Sequence, residues 1–174
     1  MRIGQTAPDF ELPDHLGEVR ALTDMTVSGP VVLFFYPAAN TPICTAEACH
    51  FRDLGTEFDR FGARRVGIST DTSDKNRHFA LQRSFDFPVL SDSDGAIAEQ
   101  FGVRRGGWFT RRRRLLELER GRAHAADRGI LRQLLSVKRT TFVIDRHRVV
   151  RMVVRSERGH VHATKALEYL RYLS

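Results

Sequence analysis

The most evenly apolar stretch of the chain is Val31-Val32-Leu33-Phe34-Phe35-Tyr36. A short β-branched and aromatic run with no polar face predicts a central strand buried on both sides, and Pro37 closes it. Upstream, Phe10 and Leu12 alternate with polar neighbours, Asp14 to Gly17 supplies turn chemistry, and Val19 to Leu22 reads as a return strand, so residues 7–21 predict a leading hairpin. Downstream the period changes. Ala46, Cys49, Leu54, Phe58 and Phe61 recur at helical spacing, which predicts a helix from Thr41 to Phe61 with Thr41 as N-cap and Pro42 in the first turn. A short strand over Arg65 to Ser69 follows, then a helix capped by Ser73 or Asp74 and running to about Phe85. Phe87 to Leu90 is a further short strand, which Pro88 places near a sheet edge. Asp94 to Phe101 is a short helix stopped by Gly102. Thr140 to Asp145 and Val149 to Val154 form two strands joined at Arg146-His147-Arg148, and Thr164 to Leu173 is a closing helix. There is no internal repeat.

Strands alternating with helices, followed by a hairpin and a last helix, predict an α/β architecture in which a mixed central sheet is flanked by helices. A thioredoxin-like fold satisfies that order. The 174 residues suit one domain over 1–174, large enough to bury a core without disulfide or metal staples. The longest apolar run is far too short to span a bilayer, and the first residues, Met1-Arg2-Ile3-Gly4-Gln5, lack the apolar stretch of a secretory signal. The expectation is a cytoplasmic protein with no membrane partner, in a compartment that keeps thiols reduced.

The formal charge of +7 is localised. Residues 104–139 hold 12 Lys and Arg against 3 Asp and Glu, and the remainder is mildly acidic. A footprint this local argues against a chain built throughout to bind nucleic acid. Within it stand Arg111-Arg112-Arg113-Arg114, then Leu115-Leu116-Glu117-Leu118-Glu119, and later Ile130-Leu131 and Leu134-Leu135. The apolar residues predict one or two short helices packed on the domain, and the arginine run a solvated, mobile entry. The segment reads as a charged loop without a role, as a docking surface for an acidic partner, or as a nonspecific patch for nucleic acid or anionic membrane, with Trp108 and Phe109 available for stacking or for packing.

The chemistry-bearing stretch is Pro37-Ala38-Ala39-Asn40-Thr41-Pro42-Ile43-Cys44-Thr45-Ala46-Glu47-Ala48-Cys49. It sits where a buried strand gives way to a helix, the place where open α/β sheets carry their sites. Cys44 falls in the first helical turn, where free backbone N–H groups and the helix dipole favour a thiolate. A thiolate attacks peroxide and becomes a sulfenic acid. Thr41 can place its hydroxyl beside that sulfur, and it can equally serve as a plain N-cap. Taken alone, two cysteines are as readily small buried apolar residues, Arg139 a solvated strand residue and Glu47 an exposed helix residue. Cys-x4-Cys with only His50 adjacent does not supply a tetrahedral metal set, so no metal is expected. The other histidines lack partner spacing and read as surface residues.

Pro37-x-x-x-Thr41-x-x-Cys44 resembles the active-site signature of peroxiredoxins. Cys44 and Cys49, five apart, with Phe35-Tyr36-Pro37 before and Glu47-Ala48-Cys49 and Phe51-Arg52-Asp53 after, are similar to the bacterioferritin comigratory protein or peroxiredoxin Q subgroup. Arg139-Thr140-Thr141-Phe142 resembles the later Arg-x-Ser/Thr-Phe strand of that family. The similarity covers most of residues 5–103 and 138–173, and residues 104–138 look like an expanded basic insert. The resemblance implies a thiol-dependent peroxidase without cofactor, acting on hydrogen peroxide and organic hydroperoxides in cell redox homeostasis. It implies Cys44 as peroxidatic and Cys49 as resolving cysteine, and Thr41 and Arg139 orienting the peroxide. Pro37 shields the sulfur, Glu47 holds Arg139, and thioredoxin or a similar dithiol protein is the reductant. It leans toward a monomer. The rival readings are a thioredoxin-like disulfide oxidoreductase, disfavoured because that chemistry uses Cys-x-x-Cys, and a partner- or nucleic-acid-binding protein using Arg111 to Arg114.

One constraint is geometric. On a regular helix, residues five apart have Cα atoms roughly 8.7 Å from each other. A disulfide tolerates about 7 Å at most. Cys44 and Cys49 therefore cannot bond while one intact helix carries both, and resolution requires its first turns to unwind.

Overall fold

The computed structural model describes residues 1–105 and 137–173. Its centre is β3 (Val31–Phe35), buried at every position. Side chains alternate across it. Val31, Leu33 and Phe35 enter one core with Phe10, Ile68, Phe101 and Phe142, while Val32, Phe34 and Tyr36 enter another with Phe51, Phe58, Phe79 and Leu167. A strand with apolar packing on both faces has no reason to alternate in polarity.

Beside β3 on one side lie β4 (Arg64–Ser69) and β5 (Val89–Ser91), each parallel to its neighbour. On the other side β6 (Thr140–Ile144) and β7 (Val150–Arg155) run antiparallel, giving the order β5-β4-β3-β6-β7. The short edge position of β5 is the one Pro88 predicts, shifted to Val89–Ser91. Helices α2 (Pro42–Asp53), α4 (Ser73–Gln82) and α6 (His160–Leu173) contribute to the core that holds Phe34. The core around Leu33 takes residues from α1 (Leu22–Thr26), α5 (Ala96–Gln100) and the leading segment. This is the mixed, helix-flanked sheet of a thioredoxin-like fold.

Other boundaries also differ from expectation. The leading hairpin forms from β1 (Glu11–Pro13) and β2 (Val19–Ala21), but Leu22 opens α1 instead of extending the strand. Leu22, Met25 and Thr26 are all buried, a helical spacing that lets three neighbours share one face. The helix expected over Thr41 to Phe61 divides into α2 and α3 (Gly55–Asp59) at Leu54. Leu54 leaves the helical backbone (φ -93, ψ 14), the Arg65 guanidinium donates to the Phe51 carbonyl at 3.1 Å, and Gly55 leaves room for it, since an added Cβ would stand 2.8 Å from Nη1. Helix α4 is capped by Thr72, whose hydroxyl accepts the Lys75 N–H, and it ends at Gln82. Helix α6 begins at His160, ahead of the predicted Thr164.

Two histidines read as surface residues are in fact buried, His15 and His162. The readings placed on Trp108, Phe109, Arg111 to Arg114 and the leucine pairs fall outside the described residues. The ends of that stretch meet: Arg104 and Val137 form an isolated antiparallel bridge, and the Lys138 N–H donates to the Val103 carbonyl at 2.8 Å. Among the described residues, no helix is long and apolar enough to cross a membrane.

Candidate active site

The loop that leaves β3 is fixed before it reaches the cysteine. The Tyr36 N–H donates to the Ile68 carbonyl at 3.0 Å, carrying the ladder one residue beyond the strand. Asn40 turns the chain with a left-handed backbone (φ 62), a conformation asparagine tolerates. Between them, the Ala39 N–H donates to Asp71 Oδ2 at 2.7 Å. Asp71 is buried beside Ser69 and Asn76, and the Tyr36 hydroxyl donates to Asn76 Oδ1 at 3.2 Å. Pro37 is buried at the head of this loop. Thr41 occupies the N-cap of α2, but its hydroxyl donates back to the Ala38 carbonyl at 3.1 Å and caps no helical N–H. Pro42 then fills the first helical position, where a missing N–H costs nothing.

Along α2, Cys44, Glu47, Ala48 and Phe51 are buried, a stripe at spacings of three and four that faces the sheet. Arg139 approaches that stripe from the opposite direction. The β3–β6 register sets Phe35 against Thr140, so residue 139 lies beside the end of β3, where α2 begins. Its guanidinium uses both arms of the fork. Nη2 donates to Cys44 Sγ at 3.2 Å, and Nη1 pairs with Glu47 Oε2. Arg139 and Glu47 are almost wholly withdrawn from water, at 3% and 0% side-chain exposure. Burial outweighs the attraction of Arg139 and pushes the Glu47 carboxyl up to about 8. Burial works against the Arg139 charge, but Glu47 and Cys44 together push its guanidinium above the ordinary arginine value. The structure thus brings Cys44, Glu47 and Arg139 into one cluster. Thr41 stands one turn earlier with its hydroxyl directed at Ala38. Cys49 is half-buried further along α2, and both thiols are free.

Three participants were not foreseen from sequence. His162 is fully buried behind Glu47, with Nδ1 3.7 Å from Glu47 Oε1. Its Nε2 lies 2.9 Å from the Ser156 carbonyl and its Nδ1 2.8 Å from the Thr141 hydroxyl. A carbonyl only accepts, so the ring proton sits on Nε2 and the Thr141 hydroxyl donates to Nδ1. Burial, with Arg139 nearby, pushes this imidazole down to about 4, so it is neutral over the physiological range. A signal existed, since His162, Ala166 and Leu170 recur at helical spacing on the buried stripe of α6. Gly159 is the second. A Cβ there would meet the Ile43 carbonyl at 2.9 Å and Glu47 Cβ at 3.0 Å, so only glycine lets the β7–α6 connection close on the first turn of α2. The third is Asp71, which holds the loop. Among the described residues, no group of histidine, cysteine and carboxylate side chains has the arrangement of a metal site.

A buried cysteine at a helix start, met by an arginine that is itself held by a buried glutamate, is the arrangement of a sulfur poised to react with a polar oxidant. The comparisons with known proteins agree. The model of the AhpC/TSA family matches residues 3–153. A Mycobacterium tuberculosis protein named as a peroxiredoxin is 50% identical over 172 residues, 98% of this chain and 97% of that one. The crystal structure of the peroxidoxin BcpB of Mycobacterium tuberculosis superposes with a TM-score of 0.82 at 49% identity, covering 100% of this chain and 99% of that one. The bacterioferritin comigratory protein of Xanthomonas campestris, studied for its alkyl peroxide reduction activity, superposes with a TM-score of 0.75 at 25% identity, over 94% of this chain and 91% of that one. The chain therefore belongs to the AhpC/TSA family, with relatives among the Bcp and peroxiredoxin Q proteins, and is a thiol-dependent peroxidase.

Proposed function

We propose that Cys44 is the peroxidatic cysteine, Cys49 its resolving partner, and that the enzyme reduces hydrogen peroxide and alkyl hydroperoxides in a reducing, cytoplasmic setting. The observation that carries this reading is the two-armed contact of Arg139, one arm on Cys44 Sγ at 3.2 Å and the other on Glu47. The Cys44 thiolate attacks one peroxide oxygen. An S–O bond forms, the O–O bond breaks, and with one proton the products are Cys44 sulfenic acid and water or an alcohol. Charge grows on the leaving oxygen, and the Arg139 guanidinium is the cation beside it. Thr41 turns its hydroxyl toward the incoming peroxide, and Pro37 keeps bulk water from the sulfur.

The Cys49 thiol then attacks the Cys44 sulfur, releases water and forms a disulfide, which a thioredoxin-like dithiol protein reduces. Because α2 carries both residues without a break, its first turns unwind for this step. Burial is uneven along α2 in the sense this needs. Pro42, Ile43 and Ala46 are exposed, whereas Phe51 stacks on Phe34 with ring centroids 4.1 Å apart.

Mass spectrometry of the intact protein tests the assignment. One equivalent of peroxide gives an intramolecular disulfide in the unaltered protein, a trappable sulfenic acid in Cys49→Ser, and no oxidised product in Cys44→Ser. A sulfenic acid on Cys49 in place of Cys44 reverses the two roles.

A further inference from the structure

Helix α2 is held unevenly along its length. In its first half Cys44 and Glu47 meet Arg139, whereas Pro42, Ile43 and Ala46 are exposed. Beyond Cys49, each of residues 50–52 is tied to a different element. His50 Nε2 lies 3.1 Å from the Thr164 hydroxyl on α6. Phe51 stacks on Phe34 of β3 with ring centroids 4.1 Å apart. Arg52 Nη1 donates to the Arg83 carbonyl, just past the end of α4, at 2.6 Å. Cys49 therefore adjoins the held part of the helix, and Cys44 lies in the part that opens.

A further tie is a buried charge, Arg65 on β4, whose side chain is 5% exposed. Helix ends leave carbonyls without a helical donor, and that of Phe51 accepts from Arg65 Nη1 at 3.1 Å. A cation at this end of α2 also faces the negative pole of the helix dipole. The guanidinium is fixed in turn by a two-pronged pair with Asp86, Nη1 to Oδ1 and Nη2 to Oδ2, each at 2.9 Å. Asp59 Oδ1 lies 3.8 Å from Nη2, and the Phe87 ring centroid is 5.5 Å from the guanidinium carbon. One side chain thus joins the end of α2, the start of α3, β4 and the α4–β5 connection. A buried ion pair adds little net stability over apolar packing. What this one supplies is a fixed position for the Phe51 carbonyl.

The resolving step needs such a fixed point. Once residues 42–48 unwind, only residues 49–53 of α2 remain helical. A stub that short does not persist on its own propensity, so its persistence depends on tertiary ties.

We propose that Arg65 is a positioning residue for the resolving step: its clasp on the Phe51 carbonyl stops the unwinding of α2 and holds Cys49 in place while Cys44 swings to it. The proposal rests on Cys44 and Cys49 being the attacking and resolving sulfurs. In that step the S–H bond of Cys49 and the S–O bond of the Cys44 sulfenic acid break. An S–S bond forms, and hydroxyl and proton leave together as water. The Cys44 sulfur is reduced and the Cys49 sulfur oxidised. A thiol held within range closes faster than one on a frayed end, because less freedom is lost at the moment of reaction. The competing fate of the sulfenic acid, in excess peroxide, is sulfinic acid.

Arg65→Met removes the donors and keeps an unbranched apolar stem beside Phe87. Rapid-quench mass spectrometry of the reduced protein mixed with hydrogen peroxide follows sulfenic acid and disulfide separately. We expect the peroxide step to stay within about twofold and disulfide closure to slow on the order of tenfold. The sulfinic fraction in excess peroxide rises accordingly, and Arg64→Met, at the exposed neighbouring position, changes neither. A role confined to stability lowers Tm and leaves the partition between disulfide and sulfinic acid as it was. That result overturns the proposal, as does equal slowing of both steps. Where Arg65→Met does not fold, Asp86→Asn carries the test with Arg65 in place. Closure slows in the same direction, and unchanged closure overturns the proposal. If the unaltered protein forms no disulfide between Cys44 and Cys49, the reading of the two sulfurs falls and the clasp with it. A normal disulfide in the unaltered protein with undiminished closure in Arg65→Met removes the clasp alone.

Discussion

Arg139 Nη2 lies 3.2 Å from Cys44 Sγ, although 95 residues separate the two in the chain. The antiparallel pairing of β6 on β3 makes the contact, because it returns the chain to the sheet end from which α2 departs. The remaining arm of the fork is committed to Glu47, so the guanidinium cannot turn away from the sulfur without abandoning a buried carboxyl.

That double commitment makes Arg139→Lys a severe change despite the retained charge. One ammonium cannot span sulfur and carboxylate with the geometry of a planar fork. Reaction with peroxide should slow by about 100-fold, the effect of one misplaced donor at a site of developing charge. Single-turnover kinetics under excess peroxide checks this, and a lysine variant within a few-fold of the unaltered rate contradicts it.

Gly159→Ala should act on the site without touching a reacting atom. Its methyl group would press on the Ile43 carbonyl and Glu47 Cβ. Overpacking of this kind costs about 1–3 kcal/mol. We expect a lower Tm in thermal denaturation together with slower peroxide consumption, whereas alanine at a neighbouring exposed position such as Arg158 changes neither.

Over residues 42–48 of α2, Pro42, Ile43 and Ala46 are exposed, whereas Phe51 further along stacks on Phe34, and this contrast predicts where the helix opens. Amide hydrogen exchange should show residues 42–48 losing protection in the disulfide form, while protection around Phe51 persists. Protection unchanged over residues 42–48 in both forms excludes unwinding as the route to the disulfide.

Much of this was legible in the chain, and the failures have physical causes. The run Val31 to Tyr36 shows no alternation because both of its faces meet apolar packing, and that alone places it at the centre of the sheet. Cys44 and its helix start could be read from the strand, the proline and the threonine. The break at Leu54 could not, since the Arg65 guanidinium that meets the Phe51 carbonyl and Gly55 there comes from another element. His162 was misread because a single histidine on an apolar stripe carries no local mark of its partners. Those partners, Glu47, Thr141 and Ser156, come from three other parts of the fold. Nothing local to Glu47 distinguishes it from a solvated helix residue; its pairing with Arg139 is what the family resemblance implies, and it is the arrival of Arg139 that makes its burial tolerable.

Two buried groups should shape stability against pH in opposite senses. His162 is pushed down from 6.5 to about 4, so the unfolded chain binds the extra proton and stability falls as pH drops through that window. Glu47 is pushed up from 4.5 to about 8, so the folded chain holds the extra proton and stability falls as pH rises through that window. In a Cys44→Ser background, where the sulfur does not titrate, denaturant unfolding should show stability declining from about pH 6.5 to 8. Adding Glu47→Gln should abolish that decline and leave the acid-side loss of His162 intact. A decline that survives Glu47→Gln assigns it to some other group.

Cys44 as the attacking sulfur and Cys49 as the resolving one fix what each cysteine variant does with peroxide. Stopped-flow measurement of hydrogen peroxide and alkyl hydroperoxide consumption by the reduced protein, Cys44→Ser and Cys49→Ser tests this assignment most directly. Rapid consumption is expected from the unaltered protein, none above background from Cys44→Ser, and a single fast turnover from Cys49→Ser that then stalls. Consumption by the unaltered protein no faster than by free cysteine would contradict it.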